Sequence, residues 1–233
     1  MGSMELNRVK TKGRLAGKSA LITGGARGQG AVEAAMFACE GARVAVCDIL
    51  EEDSRAVTDA INSEHGQGTA VFCRLDVSNE SDWERAIDLA TETFGALNVL
   101  VNNAGVIHRT GILETTDADW LEAMAINVNA LFFLSRAAIR QMKEQGAGGA
   151  IVNVSSEWGV AGAHGHIAYG ASKGAVVNFT RSLALDHAAD GIRVNCLCPG
   201  EVRTPMLEGG AKSRFGDVEG GLEVVDRLRK QRS

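Results

Sequence analysis

Proline is nearly absent from this 233-residue chain. Both copies, Pro199 and Pro205, fall in one short stretch, which must therefore be shaped as a loop. Cysteine is sparse too: Cys39, Cys47, Cys73, Cys196 and Cys198 contain no CxxC pair, and no metal-ligand spacing is visible. All but Cys39 sit in apolar strand-like runs and read as buried, reduced thiols, which points to the cytoplasm. Tyrosine occurs once, as Tyr169. No apolar run is long enough to span a membrane. Glu5, Arg8, Lys10, Lys12 and Arg14 break up any signal-peptide core. Met1-Gly2-Ser3 ahead of Met4 looks like an expression scar, and Leu6 stands where myristoylation wants Ser or Thr. Positive charge is not in excess, the formal net charge being −5, which argues against a nucleic-acid partner. The basic clusters at Lys212–Arg214 and Arg227–Arg232 read as solvated surface.

What is present is an alternation. Short β-branched runs alternate with segments of helical period, the pattern of a parallel sheet covered on both faces. Strands are predicted at Ser19–Thr23, Arg43–Asp48, Ala70–Leu75, Asn98–Asn102, Ala150–Ser155 and Ile192–Cys198. Helices are predicted near Gly30–Glu40, Ser54–His65, Ser81–Phe94, Asp117–Lys143 and Ala168–Ala189. Thr116 and Asp119 have capping-box spacing for the fourth helix. Right-handed crossovers make this an α/β fold with one doubly wound, Rossmann-like sheet of about six strands. There is no repeat and no linker, so residues 15–206 form one domain after a 1–14 extension.

Thr23-Gly24-Gly25-Ala26-Arg27-Gly28-Gln29-Gly30 joins the first strand to the first helix. Glycines let the backbone approach a pyrophosphate, which the helix N-terminus stabilises. Such a string alone is weak, since any strand-to-helix turn favours glycine. Its context strengthens it: Asp48 ends the second strand, 18 residues after Gly30. A carboxylate there accepts hydrogen bonds from an adenosine ribose and repels the 2′-phosphate of NADP. Arg27 pulls the other way. Asp48 should win, because its charge sits where the phosphate would lie.

Lys173 follows Tyr169 at i+4, so both side chains share a helix face. Bringing a tyrosine from its usual value near 10 to near 7 takes about 4 kcal/mol, which a neighbouring ammonium and an oxidised nicotinamide ring could supply by favouring the phenolate. Ser156 closes the fifth strand, 13 residues before Tyr169. Asn102-Asn103-Ala104-Gly105 ends the fourth strand, and Pro199-Gly200-Glu201-Val202-Arg203-Thr204-Pro205 follows the sixth. These strand ends meet at one rim, where this architecture gathers its site. Between Ser156 and Tyr169, Glu157, Trp158, His164 and His166 are placed near a pocket mouth, with ordinary loop packing the alternative for the histidines.

Taken together, the TGxxxGxG, NNAG, Ser–YxxxK and PGxVxTP strings resemble the short-chain dehydrogenase/reductase family from about Leu15 to Met206. The flavour is that of its hydroxysteroid dehydrogenases and ketoacyl-carrier-protein reductases. The resemblance implies that Tyr169 transfers the proton at the substrate oxygen while Ser156 hydrogen-bonds that oxygen. Lys173 would bind the nicotinamide ribose and lower the tyrosine pKa, and Asn127 would hold a water in the relay behind it. For the cofactor, NAD, it implies Gly24, Arg27, Gly28, Gln29 and Gly30 at the pyrophosphate, and Asp48 and Ile49 at the ribose. Asp76 and Val77 would lie at the adenine, and Asn103, Ala104 and Gly105 along the ribose with Tyr169 and Lys173. Pro199, Gly200, Val202 and Thr204 would hold the carboxamide. No metal is implied.

The resemblance fades after Met206. Residues 207–233 are atypical or shortened: Leu222, Val225 and Leu228 suit one amphipathic helix, and a family-like seventh strand is missing. That leaves Ile192–Cys198 as an apolar sheet edge and predicts poor order after Met206. It also favours a homodimer over a tetramer, built on helix faces carrying Leu131, Phe133, Val177, Phe179 and Leu183. The expected function is interconversion of a secondary alcohol and a ketone with NAD(H), on a small-molecule substrate. The rival is a non-catalytic NAD-binding sensor or scaffold, since a fold alone does not fix function.

Overall fold

The computed structural model describes residues 13–220, 222 and 223. Six strands form one parallel sheet: β1 (Ser19–Thr23), β2 (Arg43–Asp48), β3 (Ala70–Arg74), β4 (Val99–Asn102), β5 (Gly149–Val154) and β6 (Ile192–Leu197), in the order β3-β2-β1-β4-β5-β6. The helices are α1 (Gly28–Cys39), α2 (Glu51–His65), α3 (Glu80–Phe94), α4 (Asp117–Met124), α5 (Ala130–Gln145), α6 (Ile167–His187) and α7 (Pro205–Phe215).

Strand alternation divides the core in two. Ala20, Ile22, Val44, Val46 and Val101 point one way, against Ala34 of α1 and Ile61 of α2. Leu21, Ala45, Leu100 and Ile151 point the other way, against α3 and α5 through Trp83, Leu134 and Met142. Period-2 side-chain direction on strands buried on both faces produces this split. A polar ladder crosses the second layer. Asn102 Nδ2 donates to Asn153 Oδ1 at 2.9 Å and Ser135 Oγ at 3.2 Å, and Asn153 Nδ2 donates to Thr180 Oγ1 of α6 at 3.0 Å. It pins β4, β5, α5 and α6 in register behind the carboxyl rim.

Four expectations need correction. The helix expected over Asp117–Lys143 is two helices joined by a π-helical turn at Ala125–Asn129. Its start stands: Thr116 and Asp119 form the expected capping box. The outer faces of α5 and α6 carry only part of the predicted set: Phe179 and Leu183 line a groove there, but Leu131 and Val177 are buried, and Phe133 stacks on Trp83 at 4.2 Å. Phe132 and Leu185 face outward instead. Cys196 and Cys198 are only partly buried, because β6 is an edge strand and Cys198 lies beyond its end. Cys47 and Cys73 are buried as expected.

The fourth correction concerns only the start of the segment after Met206, which forms α7 through Phe215; residues 221 and 224–233 lie outside the described residues. Thr204 caps it, its Oγ1 accepting from Leu207 N at 3.4 Å, and Pro205 takes a first-turn position where its missing N–H costs nothing. Leu222 is helical; Val225 and Leu228 lie outside the described residues. Among the described residues, no helix is long and apolar enough to cross a membrane, and no cluster of three metal-ligating side chains exists.

Candidate active site

The glycine turn is shaped by close approach. Gly24 has φ +66°, and a Cβ there would stand 2.9 Å from Ala104 Cα. A Cβ on Gly30 would meet Asn103 Nδ2 at 2.6 Å and collide with the Gly24 carbonyl. The space is closed because Asn103 Nδ2 donates to Thr23 O at 3.0 Å and Gly24 O at 3.1 Å, while Thr23 Oγ1 accepts from Asn103 N and Ala104 N. Thr23 thus fastens the NNAG segment to the glycine turn, a role its sequence position did not reveal. Gly28 lies across from Thr204: a Cβ there would reach the Thr204 side chain at 3.4 Å. The first and last motifs of the sequence therefore face each other.

Asp48 closes the other end of this groove. Its Oδ2 accepts from Ala26 N and its Oδ1 from Leu50 N, each at 3.1 Å. Arg27, the residue that could have favoured a 2′-phosphate, pairs with Asp53 at 2.7 Å. Gln29 is half-buried in the same turn, and Ile49 is exposed beside Asp48. At the end of β3, Asp76 Oδ1 accepts from Ser78 N and Oγ, which holds its carboxyl below the usual range. Val77 turns its side chain into the core, and its carbonyl accepts from the Trp83 indole at 2.8 Å.

Past β5, backbone bonds from Ser155 N to Leu197 O (2.7 Å) and from Glu157 N to Pro199 O (2.9 Å) straddle Ser156 and fix it. A 3-10 turn over Glu157–Gly159 then packs onto α6. A Cβ on Gly159 would stand 2.6 Å from Lys173 O, so this approach requires glycine. Ser155 Oγ donates to Lys173 O at 2.7 Å, tying strand end to helix. Tyr169 and Lys173 are 8% and 4% exposed on one face of α6, with Lys173 Nζ 5.7 Å from the tyrosine ring centre. Ser156 Oγ accepts from Trp158 N at 3.2 Å. Trp158 meets the Tyr169 ring edge-on at 6.0 Å and packs against His166 at 4.2 Å. His166 is buried and its Nδ1 lies 2.8 Å from His164 O, so this histidine is loop packing at the start of α6.

Burial pushes the Tyr169 phenol above its ordinary value, and the groups opposing this are Ser156, by hydrogen bonding, and Arg109, by its charge, a group that the sequence did not mark. Lys173 donates to Val154 O at 2.8 Å, and burial lowers its own pKa to about 8, against a small opposing effect of Cys196 and Cys198. Arg109 carries no motif of its own; its place follows from the path of the loop after β4.

Asn127 lies in the π-helical turn, a distortion that often marks functional positions. Its Oδ1 accepts from Val106 N at 2.9 Å, and its Nδ2 donates to Val106 O at 3.0 Å and Ser172 Oγ at 2.9 Å. A Cβ on Gly105 would come 3.1 Å from Asn127 Oδ1 and 3.4 Å from Lys173 Nζ, so the absence of a side chain there keeps the lysine open to the groove. A small cavity lined by Thr23, Asn102, Asn127 and Lys173 lies behind it. Pro199, Gly200 and Val202 run along the groove's open side, with Val202 exposed. Val77, although packed into the core, lines the same small cavity.

Comparison with known proteins agrees with this geometry. Trans-4-hydroxycyclohexanecarboxylate dehydrogenase of Sinomonas cyclohexanicum is 41% identical over 216 residues, covering 91% of this chain and 82% of that protein. Cyclopentanol dehydrogenase of Comamonas sp. is 41% identical over 196 residues, covering 84% and 77%. The crystal structure of levodione reductase superposes with a TM-score of 0.86 at 30% identity, covering 92% and 83%. Residues 18–214 match the family described as short chain dehydrogenase, and with the sheet order and rim just described, the chain belongs to the short-chain dehydrogenase/reductase family.

Proposed function

We propose that this chain is an NAD(H)-dependent dehydrogenase that interconverts a cyclic secondary alcohol and its ketone, with Tyr169 carrying the proton. The carrying observation is the joint burial of Ser156, just past β5, with Tyr169 and Lys173 on α6, the lysine sharing a small cavity with Thr23 beside the glycine turn. A nicotinamide dinucleotide fits the groove. Gly24 and Gly30 leave backbone where side chains would collide, α1 begins behind them, and the Asp48 carboxylate stands at the far end. NAD is favoured over NADP because Asp48 is negative there while Asp53 occupies Arg27.

When bound, the nicotinamide ring supplies or accepts the hydride. Ser156 donates a hydrogen bond to the substrate oxygen and orients it toward Tyr169. Tyr169 takes the hydroxyl proton during oxidation and returns it during reduction, as a positioned acid/base. Lys173, buried on the same face of α6 as the phenol, would hold the nicotinamide ribose by hydrogen bonding. Asn127 ties the loop after β4 to α6 through Val106 and Ser172 and lines the small cavity behind the lysine, where a proton can leave toward solvent. A ring substrate is favoured by the two relatives whose names give cycloalkanols.

The test is NADH formation at 340 nm from NAD and cyclohexanol or cyclopentanol, with Tyr169→Phe as the control. No turnover of any cyclic alcohol or ketone, with the cofactor bound, overturns the reading and leaves a cofactor-binding protein.

A further inference from the structure

Arg109 is held at the mouth of this site by a loop anchored on every side. Asn127 makes two hydrogen bonds to Val106. His108 lies 3.4 Å from Asp119 and 2.9 Å from Glu122, on α4. Thr110 O accepts from Ile167 N at 3.3 Å, two residues before Tyr169, and Thr110 Oγ1 hydrogen-bonds Thr115 Oγ1 at 2.9 Å. Arg109 itself reaches across to α7, where Nη2 donates to Met206 O at 2.8 Å and the guanidinium lies against Gly210. The residue remains exposed there, and its charge is felt at the Tyr169 phenol.

Among the described residues no carboxylate pairs with Arg109. Asp119 and Glu122, on α4, lie instead beside the His108 ring, at 3.4 and 2.9 Å. A guanidinium presents five donors in a planar fork that matches a carboxylate, and one backbone carbonyl uses only a part of them. A flexible surface arginine gains little from such a pair, because ordering it costs side-chain entropy. Here the loop tethers and the Met206 contact have already ordered it.

We infer that Arg109 is the specificity residue of the site and that the substrate is a cyclic secondary alcohol bearing a ring carboxylate, whose anion docks on this guanidinium while its hydroxyl meets Ser156 and Tyr169. The inference rests on the proposed dehydrogenase reading and deepens it. A ring separates the two polar ends of such a substrate rigidly, so one contact positions the other. The carboxylate takes no part in the bond changes. The carbinol C–H leaves as hydride to NAD, the O–H proton goes to Tyr169, and the anion stays bound throughout.

The experiment compares 4-hydroxycyclohexane-1-carboxylate with its carboxamide, both oxidised with NAD by the full chain, in the unmutated protein and in Arg109→Met and Arg109→Lys. The carboxylate should be preferred at least tenfold in kcat/KM, mainly through KM. Arg109→Met should bring the ratio of the two substrates close to one, and Arg109→Lys should restore part of it. A ratio near one in the unmutated protein overturns the inference and leaves the dehydrogenase reading intact. So does an Arg109→Met variant that slows both substrates equally, which would make Arg109 only a source of field at Tyr169. Calorimetric titration with cyclohexanecarboxylate in the presence of NADH separates the two proposals. Binding that disappears in Arg109→Met supports the anion site even where no alcohol turns over, and absence of binding counts against it.

Discussion

Replacing Asp48 by asparagine keeps the shape of the ribose site and removes its charge. A unit charge about 4 Å from a 2′-phosphate, at an effective dielectric of 20, repels it by about 4 kcal/mol. Asp48 is half-buried, so solvent screening reduces this to roughly 1.5–2 kcal/mol, or about 10- to 30-fold in affinity. Asparagine can still accept from Ala26 N or Leu50 N, so the turn should hold. The unmutated protein should bind NADH at least tenfold more tightly than NADPH, read by fluorescence titration of each. Asp48→Asn should remove most of that gap and weaken NADH itself by a few fold, since a charge-assisted hydrogen bond to the ribose becomes a neutral one. Asp48→Asn with Asp53→Ala should go further, because Arg27 is then released from its 2.7 Å partner. Equal affinities in the unmutated protein, or a ratio that ignores Asp48→Asn, would refute the reasoning and make Arg27 the deciding residue.

Tyr169→Phe should lower kcat by roughly 10²–10⁴-fold with NADH affinity within about twofold, because Lys173 remains for the ribose; a variant keeping more than a few per cent of activity would show that another group carries the proton. Alcohol oxidation should rise with pH, since burial holds Tyr169 in its phenol form, and Ser156→Ala should move that rise to higher pH by removing a bond that favours the phenolate; an unmoved profile in a folded, active Ser156→Ala would count against it. Lys173→Met should abolish turnover yet raise the melting temperature near neutral pH. A lysine held at about 8 rather than 10.5 costs about 3 kcal/mol, offset by the lost bond to Val154 O, for a net gain of about 1–2 kcal/mol and a few degrees. The unfolded chain binds the extra proton between those values, so this cost is complete below about pH 8 and fades toward pH 10.5; a lower melting temperature at pH 7 would show that the buried lysine is a net stabiliser. Gly30→Ala should destabilise the fold by roughly 1–3 kcal/mol and weaken NADH binding, measured by denaturant titration and fluorescence, because its Cβ meets Asn103 Nδ2.

Much of this protein is legible in the chain because its signals are local. The strands are runs buried on both faces, so residues such as Ala20 to Ile22 and Val44 to Val46 announce themselves without their partners. Helix spacing alone puts Tyr169 and Lys173 on one face, and Thr116 with Asp119 alone starts α4. What escaped was decided between segments. The break at Ala125–Asn129 follows the hydrogen bonds of Asn127 to Val106 and Ser172, neither near it in sequence. Which of Leu131, Phe132 and Phe133 faces outward depends on where Trp83 of α3 packs. Thr204, expected at the cofactor, caps α7, and only the folded chain shows that cap. The release of Asp48 from competition is a contact between Arg27 and Asp53, 26 residues apart. Arg109, with no motif to mark it, enters the site through tethers to α4, α6 and α7. The sequence by itself determined the sheet, the cofactor turn and the Tyr–Lys face, because backbone propensity and periodicity act over a few residues. Tertiary structure decided the field at Tyr169 and the reach of Arg109, because charge and hydrogen bonding act through space between elements that the chain order keeps apart.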